Sequence, residues 1–158
     1  MMKQQLLDAL APILDFLGTL NPGDANAAET LNEKFPIAGQ EMTSLAELLA
    51  TGVEEGWLCD RAGGPGVSFS RVTKAANPDE FSIDAVRMDR PGPGHTHPNG
   101  EFDLCFAVDG EPAFDGHNAG WVVYPPGSWH VPTVTKGTMN ILYFLPGGAI
   151  DFGPKPTS

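Results

Sequence analysis

The hydrophobic period of this chain changes at Gly56, and that change limits what the chain can fold into. Upstream of it, apolar residues recur at helical spacing. Leu6, Leu7, Leu10, Ile13, Leu14 and Leu17 form one stripe over residues 4–18, opposite Gln5, Asp8 and Asp15. Pro12 sits inside this stripe and is expected to kink or divide the helix. Asn21-Pro22-Gly23 reads as a turn, and residues 25–35 as a second helix ending before Pro36. A third helix is expected to start with Ser44 as N-cap and Glu47 completing a capping box. It runs through Leu45, Leu48, Leu49 and Val53 and stops at Gly56.

Downstream, residues 67–72, 81–88, 101–108, 121–124 and 139–145 alternate as strands do. Turn-forming stretches separate them: GGPG, NPD, RPGPG, DGEP, HNAG and PPG. With 19 glycines and 15 prolines, the chain suits short strands joined by tight turns. The expectation is a mainly β, α+β protein, a sandwich or barrel. We expect a single domain: a helical cap over residues 1–56, a β unit over 57–150 and a tail over 151–158.

Twenty acidic residues against nine basic ones give a net charge of −11, which repels phosphate backbones and argues against a nucleic-acid partner. A small anionic substrate stays compatible, because one buried arginine can outweigh a diffuse surface field. The stretch LLDALAPILDFL is interrupted by Asp8, Pro12 and Asp15, unlike a secretory signal. No run approaches the roughly 18 apolar residues of a membrane span. Cys59 and Cys105 lie in apolar stretches and are read as free buried thiols. Together these features suggest a cytoplasmic location with no membrane partner.

The chemistry concentrates in GPGHTHPNGEFDLCFAVDG. His95 and His97 are two apart, so on a strand they share a face. Pro98-Asn99-Gly100 is a bend that can return Glu101 to the same point. GWVVYPPGSWHVPTV offers His130 from a distant strand. Imidazole nitrogens with a carboxylate oxygen suit a divalent first-row metal. Glu101 has a second reading, as acid or base beside a three-histidine metal. His117, in DGHNAG, reads as a turn residue. Asp103 shares the Glu101 face, as do Cys105 and Ala107. It is either a second catalytic carboxyl or a hydrogen-bonded group orienting a ligand histidine. The opposite face carries Phe102, Leu104, Phe106 and Val108. It must be covered by the helices or a second subunit, and a homodimer is favoured.

These two segments resemble the cupin family. Its first motif has the shape G-x5-H-x-H-x3-4-E-x6-G, matched by His95, His97 and Glu101. Its second, G-x5-P-x-G-x2-H-x3-N, is matched by Gly120, Pro125, Gly127 and His130. Eight residues rather than six separate Glu101 from Gly110. One residue is missing between Gly120 and Pro125, and Val134 replaces Asn. The resemblance implies a jelly-roll β-barrel and one divalent transition metal (Fe, Mn, Zn or Ni alike) held by His95, His97, Glu101 and His130.

Four segments further resemble the bacterial 4-hydroxylaminobenzoate lyases: GWLC at 56–59, HTHPNGEFDLCFAVDG at 95–110, GWVVYPPGSWHVPTV at 120–134 and ILYFLPGGAI at 141–150. This implies conversion of 4-hydroxylaminobenzoate to 3,4-dihydroxybenzoate with loss of ammonia. Glu101 or Asp103 would move protons. Arg71 or Arg87 would grip the substrate carboxylate with two parallel bonds. Trp129 and Tyr143, with Trp121 and Phe114, would line an aromatic pocket or else serve as core. Two rival readings remain, a metal-dependent cupin oxygenase acting on a small aromatic acid and a non-catalytic ligand-binding cupin.

Overall fold

Helical and β periods separate in the structure near the expected point. The computed structural model describes residues 2–77 and 79–156. The helices are α1 (Met2–Leu17), α2 (Ala27–Lys34) and α3 (Gln40–Glu55). The strands are β1 (Arg61–Ala62), β2 (Val67–Thr73), β3 (Phe81–Met88), β4 (His95–His97), β5 (Glu101–Phe114), β6 (Gly120–Tyr124), β7 (Ser128–His130), β8 (Val134–Pro146) and β9 (Asp151–Phe152).

Two helical expectations need correction. Pro12 does not divide α1, which runs through it as one helix. Pro12 lies on the exposed side, while Leu6, Leu10, Ile13 and Leu17 are at most 1% exposed, so packing of the apolar stripe outweighs the one lost backbone bond. The capping box at Ser44 does not form. The helix α3 begins five residues earlier, with Gly39 as N-cap, and the Gly39 carbonyl accepts from both the backbone N–H and the hydroxyl of Thr43. Gly56 ends α3 as expected. Its left-handed φ of 85° lets its N–H reach the Gly52 and Val53 carbonyls.

All strand pairings are antiparallel. Six strands form one sheet in the order β1-β2-β3-β8-β5-β6, and three form a second in the order β7-β4-β9. The result is a jelly-roll sandwich, within the mainly β sandwich-or-barrel class expected from sequence, and no ladder joins the two sheets among the described residues. The DGEP stretch is another correction. It lies inside β5, where register shifts between Ala107 and Asp109 and between Gly110 and Ala113 absorb the turn-prone residues as bulges. The tail is not plain coil, because β9 within it pairs with β4.

The large sheet has two buried faces. On its outer face Ile83, Ala85, Phe102, Leu104, Phe106, Leu142 and Phe144 pack against α1, α2 and α3. On its inner face Val67, Val86, Met88, Cys105, Val122, Met139, Ile141 and Tyr143 form a second core. The side chain of Asn32 on α2 fastens the cap to edge strand β6. Its oxygen accepts from the Trp121 N–H at 3.0 Å and its amide donates to the Trp121 carbonyl at 3.4 Å. The helices therefore cover Phe102, Leu104 and Phe106, but Val108 stays 41% exposed beyond them. Both cysteines are free, with Cys105 buried and Cys59 half-buried. Burial pushes the Cys59 thiol up to about 12.

Leu104→Ala should lower unfolding stability by about 2–5 kcal/mol, because it opens a cavity between sheet and cap. Val108→Ala should cost no more than about 0.5 kcal/mol. Urea titrations of the two variants check this. A large loss at Val108 would mean that another subunit covers it.

Candidate metal centre

The inner face of the large sheet can be read off its register. Arg71, Asp84, Tyr143, Asp103 and Val122 lie side by side on β2, β3, β8, β5 and β6. Glu101 precedes Asp103 by two residues on the same face and is 0% exposed, as is Asp103. The bend after His97 is built as expected. Gly100 takes a φ of 85° and donates to the His97 carbonyl, which also accepts from Gly127. The opposing sheet brings His95 opposite His130 in the β4–β7 ladder.

One ligand atom from each of His95, His97, Glu101 and His130 lies within 4.8 Å of the others. The Nε2 atom of His97 is 3.0 Å from one Glu101 oxygen, that of His95 is 3.4 Å from the other, and that of His130 is 3.7 Å from the first. The Nε2 atoms of His95 and His130 stand 3.2 Å apart. Donors bound to one ion at about 2.0–2.2 Å are separated by no more than about 4.4 Å, so a contraction of a few tenths of an ångström suffices.

The other ring nitrogen of each histidine explains why Nε2 points inward. His95 Nδ1 donates to the Pro93 carbonyl at 3.1 Å. His97 Nδ1 meets Ser128 Oγ at 2.9 Å, and that hydroxyl spends its proton on the Pro125 carbonyl, so the ring is the donor. His130 Nδ1 donates to Asp115 at 2.6 Å. With Nδ1 protonated in each ring, the three Nε2 lone pairs converge on a carboxylate. His97 Nε2 and both Glu101 oxygens are buried without a hydrogen-bond partner. Four acceptors facing one point without a donor repel each other, and a cation among them removes the repulsion. The residues therefore fit a metal ion.

The carboxyls are tuned apart. Burial alone would raise Glu101, but positive charge at the His95 and His97 Nε2 atoms, the place a bound cation would take, outweighs it and holds the group at about 2. Asp103 has no such partners. Burial, then the neighbouring Glu101 charge, pushes it well above the usual carboxylate range, and neither of its oxygens finds a hydrogen bond. Burial would also raise Asp115, but bonds from His130 and Tyr124 keep it low. The Thr133 N–H holds its second oxygen at 2.8 Å.

A cleft of about 510 Å³ reaches the cluster at His95, while His97, Glu101 and His130 lie behind its lining. His95 and Tyr143 form part of its lining, with Arg61, Arg71, Phe69, Val86, Met88 and Phe152 around them. Arg71 is ion-paired through Nε with Asp84. Arg87 is not brought to the cleft. It alternates onto the outer face of β3 with Ile83 and Ala85, near Cys59. Trp129 also points away, because it lies between Ser128 and His130 on β7 and donates to the Gly153 carbonyl at 3.0 Å. Trp121 belongs to the helix-side core, whereas the Phe114 ring lies 6.0 Å from that of His130. His117 sits exposed in the turn after β5, bridged to Phe114. Sequence reasoning missed Asp115, Tyr124 and Ser128. Asp115 lies in a D-G turn, a signal that speaks only of backbone, and β5–β8 pairing is what carries it to Thr133 and His130.

The 4-hydroxylaminobenzoate lyase family matches residues 8–152. A 4-hydroxylaminobenzoate lyase from Pseudomonas putida is 32% identical over 88% of this chain and 90% of its own length. One from Nocardioides sp. (strain LMS-CY) is 29% identical over 97% of this chain and 96% of its own. Among solved structures, an RmlC-like cupin from Shewanella frigidimarina is similar over 54% of this chain and 81% of its own, with 19% identity and a TM-score of 0.41. The match over nearly the whole chain means that this protein belongs to the 4-hydroxylaminobenzoate lyase family.

Proposed function

We propose that this chain converts 4-hydroxylaminobenzoate to 3,4-dihydroxybenzoate and ammonia, with one divalent transition metal held by His95, His97, Glu101 and His130. The observation that carries the reading is its kinship, over nearly its whole length, with proteins named for that lyase activity. The buried cluster, which a ligand-sized cleft reaches at His95, supports it.

The reaction adds one water and releases one ammonia, so it needs no oxidant. The N–O bond breaks and its oxygen leaves as water. A second water adds to the adjacent ring carbon, and a third replaces nitrogen. A bound metal would polarise the hydroxylamine oxygen or lower the pKa of a coordinated water. The protein's own groups divide the proton work. Glu101 would stay ionised as a ligand, while burial and the Glu101 charge raise Asp103 and favour the protonated form of that carboxyl. The Asp84 carboxylate occupies Nε of Arg71, which leaves the Nη1 and Nη2 edge for two parallel bonds to the substrate carboxylate. Tyr143 supplies an apolar wall next to His95, with ring centroids 6.2 Å apart. Arg87 and Trp129 take no direct part.

The same reading places the enzyme in the cytoplasm as a homodimer. Two free thiols and the absence, among the described residues, of a helix long and apolar enough to cross a membrane are consistent with the location. The exposed Val108 and Val131 are consistent with an interface.

Purified enzyme under argon should form 3,4-dihydroxybenzoate and ammonia in equal amounts. Oxygen uptake with another aromatic acid, and no ammonia, would instead establish an oxygenase. Elemental analysis should find about one metal per chain, and His97→Ala or His130→Ala should abolish it. Asp115→Asn should weaken metal affinity by about 10–100-fold, because it frees the His130 ring. Glu101→Gln should lower turnover by about 10²-fold or more, measured at matched metal content. An unchanged rate would remove Glu101 from the chemistry.

A further inference from the structure

Phe152 is the most exposed large apolar side chain among the described residues, at 65%, yet its backbone is fastened. It sits on β9 opposite His95 of β4. The next residue, Gly153, donates to the Gly94 carbonyl at 3.0 Å and accepts from Trp129 Nε1 at 3.0 Å. A loose tail would explain an exposed phenylalanine. A tail pinned at both polar groups of Gly153 does not, because the chain is held where the ring must face the solvent of the cleft.

That ring lines the cleft, and its centroid is 5.6 Å from the His95 ring at 63°. Phe69, Val86 and Tyr143 contribute to the lining from β2, β3 and β8, strands of the other sheet. A flat apolar body between these walls would be covered on both sides. The arginines of the lining, Arg61 and Arg71, come from the large sheet as well.

We propose that Phe152 packs on the aromatic ring of the substrate and closes the cleft over it, and that Trp129 is the positioning residue that holds Phe152 there. The proposal takes the identity of the ring, a benzoate, from the lyase reading. A benzoate lying along Phe152 would direct its nitrogen-bearing end toward His95 and its carboxylate toward the guanidiniums. Ring-on-ring contact distinguishes a planar aromatic acid from a puckered saturated acid of equal charge.

Calorimetric titration of the metal-loaded enzyme with 4-hydroxybenzoate, which lacks the N–O bond, and with cyclohexanecarboxylate tests this. Wild type should bind the aromatic acid more tightly. Phe152→Ala should weaken that binding by about tenfold and narrow the preference over the saturated acid. KM for 4-hydroxylaminobenzoate should rise in parallel, with kcat changed by no more than about threefold. Phe152→Trp should restore the affinity. Trp129→Phe keeps the ring but deletes the bond to Gly153, and it should weaken binding several-fold only while Phe152 is present. Unchanged affinity in Phe152→Ala would overturn the proposal. So would loss of a dimer in sedimentation at unchanged affinity, which would make Phe152 an intersubunit residue. A wild type that binds 4-hydroxybenzoate through Phe152 but releases no ammonia from 4-hydroxylaminobenzoate supports this inference and refutes the lyase reading, so the two failures are separable.

Discussion

Four lone pairs that face one another in a buried space are the constraint on which the rest of the centre depends. Each imidazole could relieve the repulsion by turning its protonated nitrogen inward. None is free to do so, because the Pro93 carbonyl, the Ser128 hydroxyl and the Asp115 carboxylate each hold an Nδ1 proton. These three acceptors come from three different places: the loop before β4, the start of β7 and the turn after β5. Orientation of the cluster is therefore a property of the sandwich, and its charge balance calls for a cation.

The large sheet allows such a centre because both its faces are buried for different purposes. Period-two alternation along β5 sends Phe102, Leu104 and Phe106 to the helices and Glu101, Asp103 and Cys105 to the interior. The helical cap thus removes a large apolar face from water without touching the site. A shift of one residue in β5 would exchange the two sets and place carboxylates against leucines. Pairing with β6 and β8 over most of the strand resists that slip.

Charge is distributed unevenly with respect to this architecture. A chain of net charge −11 repels an anionic substrate at long range, but two of its nine basic residues line the cleft. Arg71 is held by Asp84, which burial pushes upward and the guanidinium draws back. The pair orients one edge of the guanidinium while lowering its net field. Selection of a carboxylate there depends more on hydrogen-bond geometry than on bulk attraction.

Local patterns in the sequence determined the position of the helix-to-strand change, the five longer strands, the bend at Gly100 and the shared face of His95 and His97, whereas distant His130 joined them only through the family resemblance. Each of those signals lies within a few residues of chain: a period, a turn dipeptide, a ligand spacing. Helix starts were less legible, because propensity at Ser44 competes with a turn at Pro36–Gly39 that carries the chain into α3 earlier. Tertiary structure alone decided the partners. Asp115 reaches His130 only through pairing of β5 with β8, Arg87 and Arg71 part because β2 and β3 present them on opposite faces, and Trp129 faces outward because its neighbours Ser128 and His130 face in. The physical reason is that a strand's faces are equivalent until another layer covers one of them. Which layer covers which face is set by contacts between residues far apart in the chain.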